Sequence, residues 1–185
     1  RLENSCSVNL TEAETVIKIV WFNKLSTCQN MFSKLYNIKE IDLSKFDSSN
    51  VESLCEMFYY CYNLEYINFT NFNTSKVTDM ARMFSGCNTK SLDVSNFDTS
   101  RVTTMETMFS YSSLTLLNLF YFNTSKVIDM KNMFSGCHKL QSLNISNINT
   151  SSVTNMEYMF YRCSSLTSLN LSNFDTSKVT TMNIA

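Results

Sequence analysis

The sequence predicts an α/β solenoid, with stacked parallel short strands on one face and short helices on the other. Three observations point there. A segment of the pattern LxxLxLxxF returns at a nearly constant interval. Each return is followed by an Asx-Thr/Ser-Ser triplet and then by apolar residues at helical spacing. Every methionine and most phenylalanines fall at the same few positions of the unit.

The strand half comes first in each unit. It reads Ile38-x-x-Ile41-x-Leu43-x-x-Phe46, then Leu64-x-x-Ile67-x-Phe69-x-x-Phe72, and it returns from Leu114, Leu140 and Leu166. The coil at Leu92 keeps Leu92, Val94 and Phe97 but has lost one residue after Cys87, and with it the leading leucine. The paired positions start at 41, 67, 92, 117, 143 and 169, a period of 25 or 26 residues. In–out alternation over Leu-x-Leu is the period of a strand. So constant a length in copies that otherwise diverge means that each unit fills the same physical slot.

The second half reads [DN]-[TS]-S-x-V-x-x-M-x-x-M-F, as in Asn73, Thr74, Ser75, Val77, Met80, Met83 and Phe84. Apolar residues at i, i+3, i+6 and i+7 lie along one face of a short helix. The polar triplet before them is N-cap chemistry, its side chains accepting from the first free N–H groups. Strand, capped turn, helix and return loop then stack as a horseshoe of the leucine-rich-repeat type. All eleven methionines fall in two columns, and eleven of the fourteen phenylalanines in two more. Met83, Phe84, Met108, Phe109, Met133 and Phe134 are expected to form core ladders from coil to coil. A methionine stripe beside phenylalanine at this spacing reads as packing rather than as a copper site. With coils ~4.8 Å apart, the phenyl rings of one column come within stacking distance.

The runs from Leu92 to Phe109 and from Asn123 to Cys137 resemble the 26-residue repeat of bacterial surface proteins, the BspA-like leucine-rich-repeat family. The resemblance covers roughly Ile38 to Met182. It implies a surface-displayed binding or adhesion module and brings no catalytic residues. On this reading residues 1–37 are a degenerate N-terminal cap coil, in which Cys28, Met31 and Phe32 fit the helix half. Residues 38–185 are the repeat array, stopping partway through a helix. The implied location is the cell surface or the extracellular space, although the sequence itself leaves the cytoplasm open.

Composition narrows the function. With 44% hydrophobic residues in 185, the chain can bury a continuous core. Its net charge is −1, and no block of like charge occurs, which argues against a nucleic-acid or anionic-membrane partner. No apolar run of about 18 residues is present, so no transmembrane segment is expected. The chain begins at Arg1 without a signal-peptide pattern, as a mature or excised piece would. It has no proline and only Gly86 and Gly136, yet it must turn in every coil.

Of the seven cysteines, Cys61, Cys87, Cys137 and Cys163 share one column, three residues after the phenylalanine of Met-Phe. The coil ending near Tyr111 is read as lacking that position, and Leu35 fills it in the first coil. Parallel neighbours ~4.8 Å apart exceed the Cβ separation of a disulfide, so these thiols are expected to be free and buried. Cys28 aligns with a methionine column. Cys55 aligns with Ala81, Glu106, Lys131 and Glu157, a column expected at the surface, and Cys6 in the cap leaves a bond to Cys28 open. His138 is the only histidine, so no histidine-based triad or multi-histidine metal site can be assembled, and no cofactor or metal is expected. Asn-x-Ser/Thr sequons occur at Asn9, Asn68, Asn73, Asn123, Asn144, Asn149 and Asn170, mostly as by-products of the repeat.

The leading functional reading is a non-enzymatic adhesion or ligand-binding module whose concave strand face meets a protein or carbohydrate partner. Small polar residues fill the outward columns of that face, as a merely solvated surface would. One coil breaks the pattern with Leu116, Phe120 and Tyr121, an apolar cluster in a polar field. The turn of Tyr59, Tyr60 and Tyr62 is the second place to look. The alternative class is a structural protein whose coil ends stack head to tail, giving end-to-end self-association into a fibre or oligomer.

Overall fold

The structure, a computed structural model, describes residues 24–183. Successive repeats lie against one another as coils, but no helix occurs among the described residues. The expected α/β solenoid with helices on one face is therefore corrected: strand pairing and turns build both faces.

Four three-residue strands line the first face: β1 (Glu40–Asp42), β2 (Tyr66–Asn68), β3 (Leu116–Asn118) and β4 (Ser142–Asn144). β1 pairs with β2 in parallel, Ile41 opposite Ile67, and β3 with β4, Leu117 opposite Leu143. The central residue of each strand points inward, buried in all but β4. Between the two pairs, the coil of Leu92 and Val94 forms no strand. Its missing residue lies between Cys87 and Thr89, so Thr89 slides into the slot that Leu64 and Leu114 fill in the neighbouring coils. There it is buried, and its hydroxyl has no hydrogen-bond partner.

The opposite face holds the continuous ladder. Thr27, Ser53, Asp79, Thr104, Asp129, Asn155 and Thr181 bridge in parallel from each coil to the next without interruption. Beyond each bridge the backbone alternates. The N–H groups of Leu54, Glu56, Phe58 and Tyr60 donate to Asp79, Ala81, Met83 and Ser85 of the next coil at 2.8–3.0 Å. Those of Met57, Tyr59 and Cys61 close turns onto Leu54, Glu56 and Phe58 at 3.1–3.3 Å. A left-handed residue at every fourth position makes this possible, Glu56 (φ 57°) and Tyr60 (φ 55°) in this coil. Each such non-glycine residue costs ~1–2 kcal/mol, offset by coil-to-coil bonds of roughly 0.5–1.5 kcal/mol each. Apolar spacing alone does not separate this chain of turns from a helix, because both return a side chain to the core every three or four residues. The difference lies in the N–H groups: a helix keeps them internal, whereas here alternate ones reach the next coil.

The core is a set of ladders. Phe32, Phe58, Phe84, Phe109, Phe134 and Phe160 stack with centroids 5.6–5.8 Å apart and ring planes within 14° of parallel. Each such pair is worth about 0.5–1.5 kcal/mol beyond its buried area. Met83, Met108 and Met133 run beside them, fully buried.

The six described cysteines are free. Cys61, Cys87, Cys137 and Cys163 each donate the thiol to a phenylalanine carbonyl of the preceding coil, Phe32, Phe58, Phe109 and Phe134, at 2.9–3.1 Å. Burial pushes the Cys87 thiol well up, a hydrogen bond with Cys163 together with burial does so for Cys137, and burial takes Cys28 up to about 12. Two cysteine readings need correction. The column is not lost in the Phe109 coil, because Ser112 occupies it with its hydroxyl 3.5 Å from Cys137 Sγ. Cys55 is half-buried rather than exposed, since its column packs coil against coil instead of projecting from a helix. Burial, with Asp79 and Glu56 adding, pushes its thiol up to about 11. Cys6 lies outside the described residues.

The Asx-Thr/Ser-Ser triplet caps turns, not helices. Asp47, Asn73, Asp98, Asn123, Asn149 and Asp175 each accept the N–H two residues on, at 2.9–3.1 Å. The buried threonine beside them ties coil to coil: Thr99 Oγ1 donates to Asn123 O at 3.0 Å and accepts the Asn123 N–H at 2.8 Å. Thr124 and Thr150 repeat both bonds with Asn149 and Asp175.

Two stability comparisons test this packing in denaturant melts. Phe109→Ala should cost about 3–5 kcal/mol, against under ~0.5 kcal/mol for Lys126→Ala on the exposed row. Among the threonines the sign should reverse with position: Thr99→Val loses about 1–3 kcal/mol, whereas Thr89→Val, which removes a buried unpartnered hydroxyl, is neutral or stabilising by up to ~1 kcal/mol. Equal losses at both threonines would contradict the slot assigned to Thr89.

Candidate binding surface

The polar columns of the strand face are structural. Asp42, Asn68, Asp93, Asn118, Asn144 and Asn170 each accept the backbone N–H two residues on, at 2.8–3.2 Å, and so set the turn that leaves each strand position. The sequon asparagines from Asn68 to Asn170 are thus turn-forming side chains; Asn9 lies outside the described residues. Bonds from the Ser44 backbone and hydroxyl hold the Asp42 carboxyl below the usual range. The Ser95 hydroxyl and backbone do the same for Asp93. In the outer turn, Ser49 takes Asp47 down to about 2, and Ser100 and Ser177 lower Asp98 and Asp175.

The next column also ties coils together. The carboxamides of Asn96, Asn147 and Asn173 donate to preceding-coil carbonyls at Phe69, Phe120 and Ser146, at 2.9–3.1 Å. Tyr121 occupies that column and has no such group to offer. It is 63% exposed, and Phe120 beside it 45%. Their rings meet edge to face with centroids 5.4 Å apart. Leu116, at the start of β3, is 54% exposed, so all three sequence-derived candidates project from one strand and the turn after it.

The structure adds a residue that the sequence reading missed. Ile128, in the same coil, is 51% exposed. Its column is otherwise threonine, and Thr78, Thr103, Thr154 and Thr180 each donate a hydroxyl to a carbonyl of the preceding coil. An isoleucine cannot do so. The signal was available as the series Thr78, Thr103, Ile128, Thr154, Thr180. Tyr66, the β2 counterpart of Leu116 two coils away, is also exposed. The second candidate is assembled too: Tyr62 stacks on Tyr36 and on Tyr60, at 5.7 and 5.3 Å, and Tyr60 meets Tyr59 at 4.1 Å.

The sequence signature of one family, described as "Mycoplasma protein of unknown function, DUF285", matches residues 26–118 and again 113–184. The chain belongs to this family. Two overlapping matches along one chain mark a repeat protein, in keeping with the coils described above. No curated protein and no solved structure matches the chain. Membership in the DUF285 family assigns no activity, so the role of the surface rests on its own chemistry.

The aspartate turns give a pH test. Asp42, Asp47, Asp93, Asp98 and Asp175 have folded-state pKa values below their unfolded value, so their contribution is complete above about pH 4 and is lost as pH falls through the depressed values. The melting temperature should therefore drop on acidification from about pH 4 toward 2. A variant carrying asparagine at all five positions, the residue that sister coils already use, should show a flatter profile; an unchanged profile would contradict the turn assignment.

Proposed function

We propose that this chain is a non-enzymatic interaction module, displayed at the cell surface or outside the cell, that binds a protein or carbohydrate partner through Leu116, Phe120 and Tyr121. One observation carries the reading. In two outward columns where Asn96, Asn147 and Asn173, and Thr78, Thr103, Thr154 and Thr180, bond to the preceding coil, one coil places exposed apolar residues instead, Tyr121 and Ile128. Residues that break a local structural rule without local compensation are expected where function requires them. Exposed aromatic residues in a polar field are the usual anchors of a contact. Leu116 tilts the choice toward a protein, because an aliphatic side chain offers a sugar neither a ring face nor a hydrogen bond. The resemblance to BspA-like surface repeats supports display and adhesion.

The double substitution Phe120→Ser with Tyr121→Asn installs the neighbouring coils' residues. It should leave stability within about 1 kcal/mol. On an array of matrix proteins and glycans it should weaken binding by at least ~2 kcal/mol, the scale of an aromatic anchor. Intact binding by a folded variant would move the site elsewhere, and a much earlier melt would make these residues structural.

A further inference from the structure

The turn face carries a feature separate from the strand-face cluster. One column, the residue after each Met-Phe phenylalanine, reads Tyr59, Ser85, Ser110, Ser135, Tyr161 in successive coils. The three serines are sunk into the surface, and a trough of about 520 Å³ opens above them, lined along this column from Tyr59 to Tyr161. Tyr60, Tyr111 and Tyr158 form its flanks, with Thr107 and Asn132 between them. Four coil steps at ~4.8 Å each give a length of roughly 19 Å, long enough for several linked sugar rings.

Both glycines of the chain serve this trough. The adjoining column reads Tyr60, Gly86, Tyr111, Gly136, Arg162, and all five residues are left-handed, with φ between 54° and 73°. Since tyrosine and arginine adopt that conformation here, the backbone does not demand glycine. Space does. A Cβ on Gly86 would lie 2.1 Å from the Tyr60 ring, and one on Gly136 would lie 2.6 Å from the Tyr111 ring. The glycines let each tyrosine settle onto the next coil, which fixes the aromatic flank.

We propose that this trough binds a neutral linear oligosaccharide. The lining cation, Arg82, is held between Glu56 at 3.5 Å and Glu106 at 3.0 Å, so the site offers no uncompensated positive charge to an anion. An extended peptide adding as a strand finds no free edge. The N–H groups of Gly86 and Tyr111 already donate to Ser110 and Ser135, and those of Ser85 and Ser110 to Arg82 and Thr107. The Ser110 hydroxyl is taken up by the Ser135 carbonyl; what remains is tyrosine rings and phenols, the Thr107 hydroxyl and the Asn132 carboxamide, which suit the apolar faces and hydroxyl rims of sugar rings.

The test titrates the full chain with cellohexaose, chitohexaose and maltohexaose, followed by tyrosine fluorescence and by NMR shifts at Ser85, Ser110 and Ser135. At least one of the three should bind and shift those residues. Tyr59→Ala and Tyr161→Ala should each weaken it about tenfold or more. Ser110→Tyr, which places at mid-trough the residue that Tyr59 and Tyr161 supply at its ends but gives up the Ser110 hydroxyl bond to the Ser135 carbonyl, should fill the trough and abolish binding in a chain that still folds. If that variant misfolds, the two alanine variants decide. Phe120→Ser with Tyr121→Asn should leave hexasaccharide binding unchanged, so failure of the strand-face reading would not be mistaken for failure of this one. Binding by none of the three sugars would overturn the proposal. So would hexasaccharide binding that ignores the trough variants or vanishes with the strand-face pair, or a preference for heparin or a proline-rich peptide.

Discussion

The rest of the structure depends on one constraint: every coil must present its alternate backbone N–H groups to the carbonyls of the next. The unbroken ladder from Thr27 to Thr181 and the paired donors after each bridge, such as Phe58 to Met83 and Phe84 to Met108, meet that requirement. A length held at 25 or 26 residues follows from it, and so do the columns, because a fixed register places each side chain over its counterpart. The coil of Leu92 shows which face tolerates change. Strand pairing lapses in that coil, while the bridge from Asp79 to Thr104 persists. The turn face is the spine, and the strand face is the side that can vary.

Turning without proline, and almost without glycine, is solved by short polar side chains. Each coil uses an Asx or hydroxyl cap in three places, as at Asp42, Asp47 and Ser53 in one coil and at Asn68, Asn73 and Asp79 in the next. Such side chains accept a backbone N–H two residues on and so imitate a turn. The buried threonine column adds two bonds per step, which explains why Thr99 and Thr124 sit in an apolar core at little cost while Thr89 does not. The same economy makes departures legible. In columns where Asn96, Asn147, Asn173 and the threonines tie two coils, Tyr121 and Ile128 stand out as positions released from that duty.

Periodicity made much of this readable in advance. The unit length, the phenylalanine and methionine ladders, the free thiol column and the outward projection of Leu116, Phe120 and Tyr121 all follow from residues recurring at one register. Helix against turn was not readable that way. Val77, Met80, Met83 and Phe84 are spaced as a helical face would be, and nothing in apolar spacing reports whether Phe84 N–H bonds within its coil or to Met108. The leading leucines alone do not reveal that Ser112 keeps the cysteine slot, because in its coil the missing residue lies after it rather than at it, nor that Thr89 fills the leading-leucine slot. The trough escaped notice for another reason: its parts lie in two columns, and its meaning depends on small residues between large ones rather than on any single conspicuous side chain.

The most direct measurement is of scalar couplings through hydrogen bonds, recorded by NMR on the isotopically labelled chain in the Met-Phe segments. The expected result is a coupling from the Phe84 amide nitrogen to the Met108 carbonyl, with matching ones from Phe58 to Met83 and from Phe109 to Met133. A coupling from Phe84 to the Met80 carbonyl within its own coil, the four-residue bond of an α-helix, would contradict it.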